Sequence, residues 1–202
     1  MNFEGKVTID LGCGGKAPVR VDYRRPVEIA RILRGKAPAS VPGLLSTVFS
    51  VCGHAQAHAG ALALEVAGGL ESDPVTARSR AVLTALETWR ETLLRIVLEW
   101  PDRTGGKVDP SAARQAMSLL PAMKIALFGK ADPYAPGAGT KPDLRAALAL
   151  IGEAEGLAVE CVLGESGERF LARRGGDELS SWAWSRETQA ACFIRYLFAR
   201  GW

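Results

Sequence analysis

The segment from Asp73 to Trp100 constrains this chain more than any other. Asp73 is a good helix N-cap, and Pro74 suits the first helical position, where its missing N–H costs nothing. The next proline is Pro101. A helix of about 27 residues, roughly 40 Å at 1.5 Å rise per residue, is therefore predicted between them, with Pro101 as its stop. Val75, Val82, Leu86, Trp89, Leu93, Val97 and Trp100 recur at threes and fours, while Glu87, Arg90, Glu91 and Arg95 fall mostly on other faces. Such a helix must bury its stripe, and 202 residues with 48% hydrophobic composition supply enough chain to do it in one domain over 1–202.

The rest of the chain reads as a small β element followed by helices. Two alternating runs, Lys6 to Leu11 and Val19 to Tyr23, predict strands joined by a glycine-rich turn, forming a hairpin over 1–25. A helical body over 26–156 follows. Pro26 opens a short helix ending near Arg34, before Gly35. Leu44 to Gly68 is apolar and rich in small residues, so it is expected to lie deep in the fold as one or two helices meeting near Cys52-Gly53. Further helices are predicted at Pro110 to Phe128 and Asp143 to Glu155, around the proline- and glycine-rich loop "GKADPYAPGAGTKP". Over 157–202, "LAVECVLG" and "ERFLAR" suggest a small hairpin, and Arg186 to Ala199 a last helix. The fold class is α+β, mainly α.

Charge and cysteine usage exclude several classes. The net charge of +3 comes from 25 basic and 22 acidic side chains, with no basic block longer than Arg24-Arg25 or Arg173-Arg174. That is too diffuse for a nucleic-acid partner. The start "MNFEGKVTID" has no basic-then-apolar secretory pattern, and no run is long enough to span a bilayer, so a cytoplasmic protein without membrane insertion is expected. Cys13, Cys52, Cys161 and Cys192 lie far apart with no CxxC, forming neither a zinc pattern nor a disulfide framework. Cysteine chemistry here rests on single thiols.

Two stretches invite a ligand. "DLGCGG" is similar to the first motif of class I methyltransferases, with Asp10, Gly12 and Gly14 matching, which would imply S-adenosylmethionine. The third glycine position is Lys16, however, and "VRVDY" begins too soon after it for the helix that a parallel crossover needs. A β-hairpin with glycines in its turn is favoured. A P-loop is excluded because Ala17 follows Lys16.

The second stretch is "VCGHAQAH", Val51 to His58. His54 and His58 are four apart and share a helix face, with Glu65 two turns on, a spacing that can hold a metal. The glutamate of a zinc protease is missing between them, which favours two hydrogen-bonded histidines on a helix flank. On a continuous helix Cys52 pairs instead with Gln56. If Gly53 opens a new helix, Cys52 stands at its N-terminus, where the macrodipole favours thiolate. A buried structural cysteine is the alternative.

"LLSTVFSVCGHAQAHAGALALEVAGG", followed by a long helix ending "TWRETLLRIVLEWP", resembles the N-terminal region of nickel-iron hydrogenase large subunits, where a C-G-x-C-x-x-x-H motif enters a helix. Cys52 and Gly53 match its first two positions. Ala55 stands at the second cysteine, Ala59 at the histidine, and His58 falls one residue short. The pattern C-G-x-A-Q, Cys52 to Gln56, more closely resembles hydrogenase accessory proteins of the HupK/HoxV type. "SRETQAA", Ser185 to Ala191, is similar to a P-E-T-G segment of both groups. The D-P-C-x-x-C-x-x-H motif of true large subunits has no counterpart before Trp202, so the chain looks shortened.

The resemblance implies a hydrogenase large-subunit-like fold and a non-catalytic maturation factor. Its cargo would be the iron-dicyanide-carbonyl unit, held transiently, and no nickel is expected. Cys52 would be the iron ligand and Gly53 and Gln56 its cofactor-binding neighbours, Gln56 donating to a cyanide nitrogen or orienting the thiolate. His54 and His58 are not used by the likeness. The partners implied are the hydrogenase large subunit and small maturation carrier chaperones. A methyltransferase, and a large-subunit-like interaction module without metal, remain the other readings.

Overall fold

The computed structural model describes residues 5–11, 19–24 and 29–201, which form two compact units, residues 1–40 and 41–202. It is mainly helical with a two-stranded hairpin near the N-terminus, in the class expected from the sequence. In the first unit β1 (Lys6–Asp10) and β2 (Arg20–Arg24) pair antiparallel, Val7 opposite Tyr23 and Ile9 opposite Val21. The period of two puts these four apolar side chains on one face. The antiparallel register is incompatible with a first strand leading by parallel crossover to the second, so the methyltransferase reading fails on topology. Gly12, Cys13, Gly14 and Lys16 of the turn, and Pro26, lie outside the described residues. Helix α1 (Ile29–Leu33) and a 3-10 turn at Pro38–Ser40 also belong to this unit, with Gly35 between them at φ 73°.

The second unit begins with α2 (Val41–Val48) and α3 (Gly53–Ala67), which pack closely on each other. Only one stripe of α3 is buried, Gly53, Ala57, Ala61 and Glu65 at intervals of four. The expectation that Leu44 to Gly68 lies deep in the fold is corrected: Val48, Val51, Leu62 and Val66 are exposed. Small side chains here serve close helix approach along one face.

Helix α4 (Pro74–Leu94) starts as predicted, with the Asp73 carboxylate accepting the Thr76 N–H at 2.9 Å. Pro101 does not stop it. The chain widens into a π turn over Arg95–Glu99 and continues through α5 (Pro101–Thr104), ending only at Gly105 with φ 72°. Proline cannot donate to the carbonyl four residues back, and that carbonyl, on Val97, accepts the Asp109 N–H at 3.1 Å instead. The buried stripe also differs from the expected one. Thr76, Ser79, Arg80, Leu83, Leu86, Glu87 and Leu93 face inward, whereas Val75 is exposed.

Helices α6 (Pro110–Phe128) and α7 (Leu144–Ala158) fall where predicted, capped by Asp109 and Asp143. Together with α3 and α4 they enclose the main core, centred on Leu83, Val97, Leu119, Leu120 and Met123. The hairpin expected within 157–202 is not formed. Helix α7 runs on into a π turn at Val159–Leu163, and α8 (Gly167–Leu171), α9 (Gly175–Ser185) and α10 (Gln189–Phe198) follow. Cys161 and Val162 pack against the main core, which fixes this short apolar run as helix. Ile96, Trp182, Ala183, Ala190 and Ala191 form a second core that ties α9 and α10 to the π turn of residues 95–99.

Candidate functional site

A break in the helix between α2 and α3 places Cys52 as the residue before the first turn of α3, its side chain half-buried and making no cap hydrogen bond. Gly53 is required by the approach of the two helices. A Cβ there would stand 2.7 Å from the Ser46 carbonyl oxygen and 3.3 Å from the Ser46 Cα. Gln56, one turn on, brings its amide Nε2 to 4.0 Å from Cys52 Sγ. The cysteine and glutamine paired from helical spacing are therefore neighbours.

The amides that open α3 are satisfied from another helix. Glu87 of α4 accepts the His54 N–H at 2.8 Å on Oε1 and the Ala55 N–H at 3.0 Å on Oε2, and its side chain is buried. A carboxylate at a helix N-terminus meets both the unpaired N–H groups and the positive end of the dipole. Glu87, expected on an outer face, is instead the cap of the helix that carries Cys52.

The two histidines turn to other partners. His54 Nδ1 lies 2.7 Å from the Tyr134 hydroxyl, and His58 Nδ1 lies 3.2 Å from Thr84 Oγ1. Burial lowers the pKa of both below the ordinary value; the charge of Glu87 opposes the shift at His54, and Arg80 adds to it at His58. Burial first, then Glu87, raises the Tyr134 phenol, so it stays a proton donor. Neutral imidazoles engaged this way hold structure, and they do not converge on Cys52. Among the described residues no three His, Cys, Asp or Glu side chains come together as a metal donor set.

Beneath the histidines lies an ion pair that sequence reasoning did not find. Arg80 is fully buried, and its guanidinium donates to Glu65 Oε1 at 2.9 Å, to the Pro133 carbonyl at 2.6 Å and to the Ala135 carbonyl at 3.0 Å. Glu65 also accepts from the Ser72 hydroxyl at 2.6 Å and the Gly137 N–H at 3.0 Å. Burial opposes ionisation of Glu65, but these donors outweigh it and hold its pKa below the usual carboxylate value. The clasp fastens the 133–137 loop to α3 and α4, and so delivers Tyr134 to His54. The sequence signal was available: an arginine seven residues before Glu87, on the face shared by Thr76 and Leu83.

Between α2, α3, α4, α6 and this loop is a cavity of about 640 Å³, walled by Ser46, Ser50, Gly53, His54, Arg90, Lys124, Asp132 and Tyr134 among others. Cys52 is not on that wall. The start of α3 thus has two sides, the Cys52–Gln56 side and the cavity side.

Fold and site together define a small, mainly helical protein with a half-buried thiol at a helix start. No family profile matches the chain, and no solved structure matches it. It is similar to proteins named for hydrogenase formation. One is the hydrogenase expression/formation protein HupV of Azotobacter chroococcum, 36% identical over 96 residues, 47% of this chain and 28% of the relative. A second is the HupK protein of Rhizobium leguminosarum, 30% identical over 129 residues, 64% of this chain and 34% of the relative. A third is the HoxV protein of Cupriavidus necator, 39% identical over 77 residues, 38% of this chain and 20% of the relative. The resemblance to hydrogenase accessory proteins of the HupK/HoxV type is borne out, and the chain spans about a third or less of the length of these relatives.

Proposed function

We propose that the chain acts in nickel-iron hydrogenase maturation as a non-catalytic scaffold on which the iron-dicyanide-carbonyl unit is assembled, or from which it passes to the large subunit. The observation that carries this reading is the Cys52 thiol, half-buried at the start of α3 with the Gln56 amide beside it, in a chain similar to hydrogenase expression/formation proteins. The donor set fits a cargo and not a resident metal. One soft thiolate binds iron, and without a second protein ligand the unit is surrendered readily. Gln56 orients the thiolate or donates to a cyanide nitrogen. Gly53 contributes by letting α3 start against α2. His54 and His58 stay with Tyr134 and Thr84, and no nickel is bound. A large-subunit-like fold and a cytoplasmic location belong to this proposal, as do the large subunit and small carrier chaperones as partners. No helix among the described residues is long and apolar enough to cross a membrane.

The test is anaerobic purification from cells that co-express the maturation machinery. Wild-type protein is expected to carry iron with cyanide and carbonyl infrared bands, and Cys52→Ala to lose both. Wild-type protein bare of iron under these conditions would overturn the reading. A metal-free interaction module is favoured by one observation, the exposure of Leu62 and Val66 on α3. That reading predicts hydrogenase partners pulled down equally by wild type and Cys52→Ala, with iron on neither.

A further inference from the structure

The C-terminal helices carry an arrangement of charge that the maturation reading does not use. Glu165, just after the π turn at Val159–Leu163, is buried, and three guanidinium groups close on its carboxylate. Arg173 pairs with Oε1, Arg186 donates to Oε2 at 3.0 Å, and Arg169 Nε lies 3.4 Å from Oε2. One carboxylate needs one counter-charge. These arginines also line a cavity of about 470 Å³ between α8 and α9, whose wall includes Ser181 and a single acidic residue, Glu178. Glu178 Oε2 is already occupied by the Arg174 N–H at 2.7 Å.

Positive charge is thus in surplus, three guanidinium groups against two carboxylates. Donors remain over as well. The terminal nitrogens of Arg169, and Nη2 of Arg173, hydrogen-bond to no protein acceptor among the described residues, whereas Arg173 Nη1 also reaches the Arg169 carbonyl at 3.0 Å. Glu165 holds Arg173 and Arg186 in place from below, so the ordering cost of those two long side chains is met before any ligand arrives. Planar guanidinium forks match the oxygen spacing of phosphate and carboxylate groups. Three of them around one cavity suit a dianion with three or more acceptor oxygens better than a two-oxygen monoanion. Arg186 comes from "SRETQAA", the segment that the iron-scaffold reading leaves without a role.

We infer that this cavity binds a phosphate group carried by a small molecule, through Arg169, Arg173 and Arg186. The inference is independent of Cys52. The test is calorimetric titration of the full chain at fixed ionic strength with inorganic phosphate, with methyl phosphate and, in a parallel arm, with acetate. Both phosphates are expected to bind, and acetate at least about tenfold more weakly. Arg169 projects into solvent with its side chain 72% exposed, so Arg169→Gln should keep the wild-type melting curve. It should weaken phosphate about tenfold, the scale of one charge-assisted hydrogen bond, with Arg169→Lys between the two. As a second measurement, phosphate should protect Arg169 from phenylglyoxal, read by mass spectrometry. Phosphate binding no tighter than acetate, or unchanged in Arg169→Gln, or leaving Arg169 unprotected, would overturn the inference.

Discussion

At position 53 there is no room for a side chain, because a Cβ would press on the Ser46 carbonyl oxygen at 2.7 Å. Backbone atoms cannot rotate away as a side chain can, so Gly53→Ala must push α2 from α3. The expected cost is about 1–3 kcal/mol, the range for overpacking a filled site, read as a lowered urea midpoint. The glycine beside Cys52 therefore positions the thiol by allowing α3 to begin where it does. The histidines give a second expectation. Their folded pKa values lie below the unfolded value of 6.5, so above that pH both states are neutral and the fold has its full stability. As pH falls below 6.5 the unfolded chain takes up protons first, and stability is lost until the folded pKa is passed. Urea midpoints should fall over this window in wild type and less steeply in a His54→Gln, His58→Gln double variant; equal slopes would contradict it. At this scale the pairing of Cys52 and Gln56 was legible because four residues separate them at the start of one helix, Cys52 as its N-cap residue. The partner of His54 was not, because Tyr134 is distant in sequence and arrives only through folding.

Elements explain how that folding is held. The Arg80–Glu65 clasp is a buried ion pair in which every nitrogen of the guanidinium has a partner. Removing one member leaves the other charged and unpaired, so Arg80→Met is expected to cost about 3–5 kcal/mol, and the double change Glu65→Gln, Arg80→Met less than that. A double-mutant cycle in urea measures the difference. Glu87→Ala uncaps α3 from across the interface and should cost about 0.5–2 kcal/mol, by analogy with an ordinary N-cap. Loss of helix start should appear as faster amide exchange at His54 and Ala55, the two residues whose N–H groups Glu87 accepts. The cap at Asp73 was readable because capping is a local signal, and Asp109 and Asp143 cap α6 and α7 in the same way. The π turn before Pro101 was not, because it depends on a distant N–H, that of Asp109, being ready to take the Val97 carbonyl. Val159 to Leu163 looked like a strand because a short β-branched apolar run does not reveal its period; packing on the core made it helical.

Over the whole chain, the hydrophobic pattern announced a mainly helical protein, and the antiparallel hairpin removed the one cofactor that the glycine-rich turn suggested. The charged and polar framework around the site, Glu65, Arg80, Glu87 and Tyr134, stayed hidden in the sequence because each member gains its meaning from a residue on another element. That framework is spent on architecture, which leaves the half-buried Cys52 thiol as the reactive group at the start of α3. If Cys52 holds the iron through its sulfur, iron K-edge absorption on anaerobically co-expressed protein should show a sulfur neighbour to the iron in wild type and its loss, together with the iron, in Cys52→Ala. Iron retained in Cys52→Ala, or iron in wild type with only nitrogen, oxygen and carbon neighbours, would contradict it.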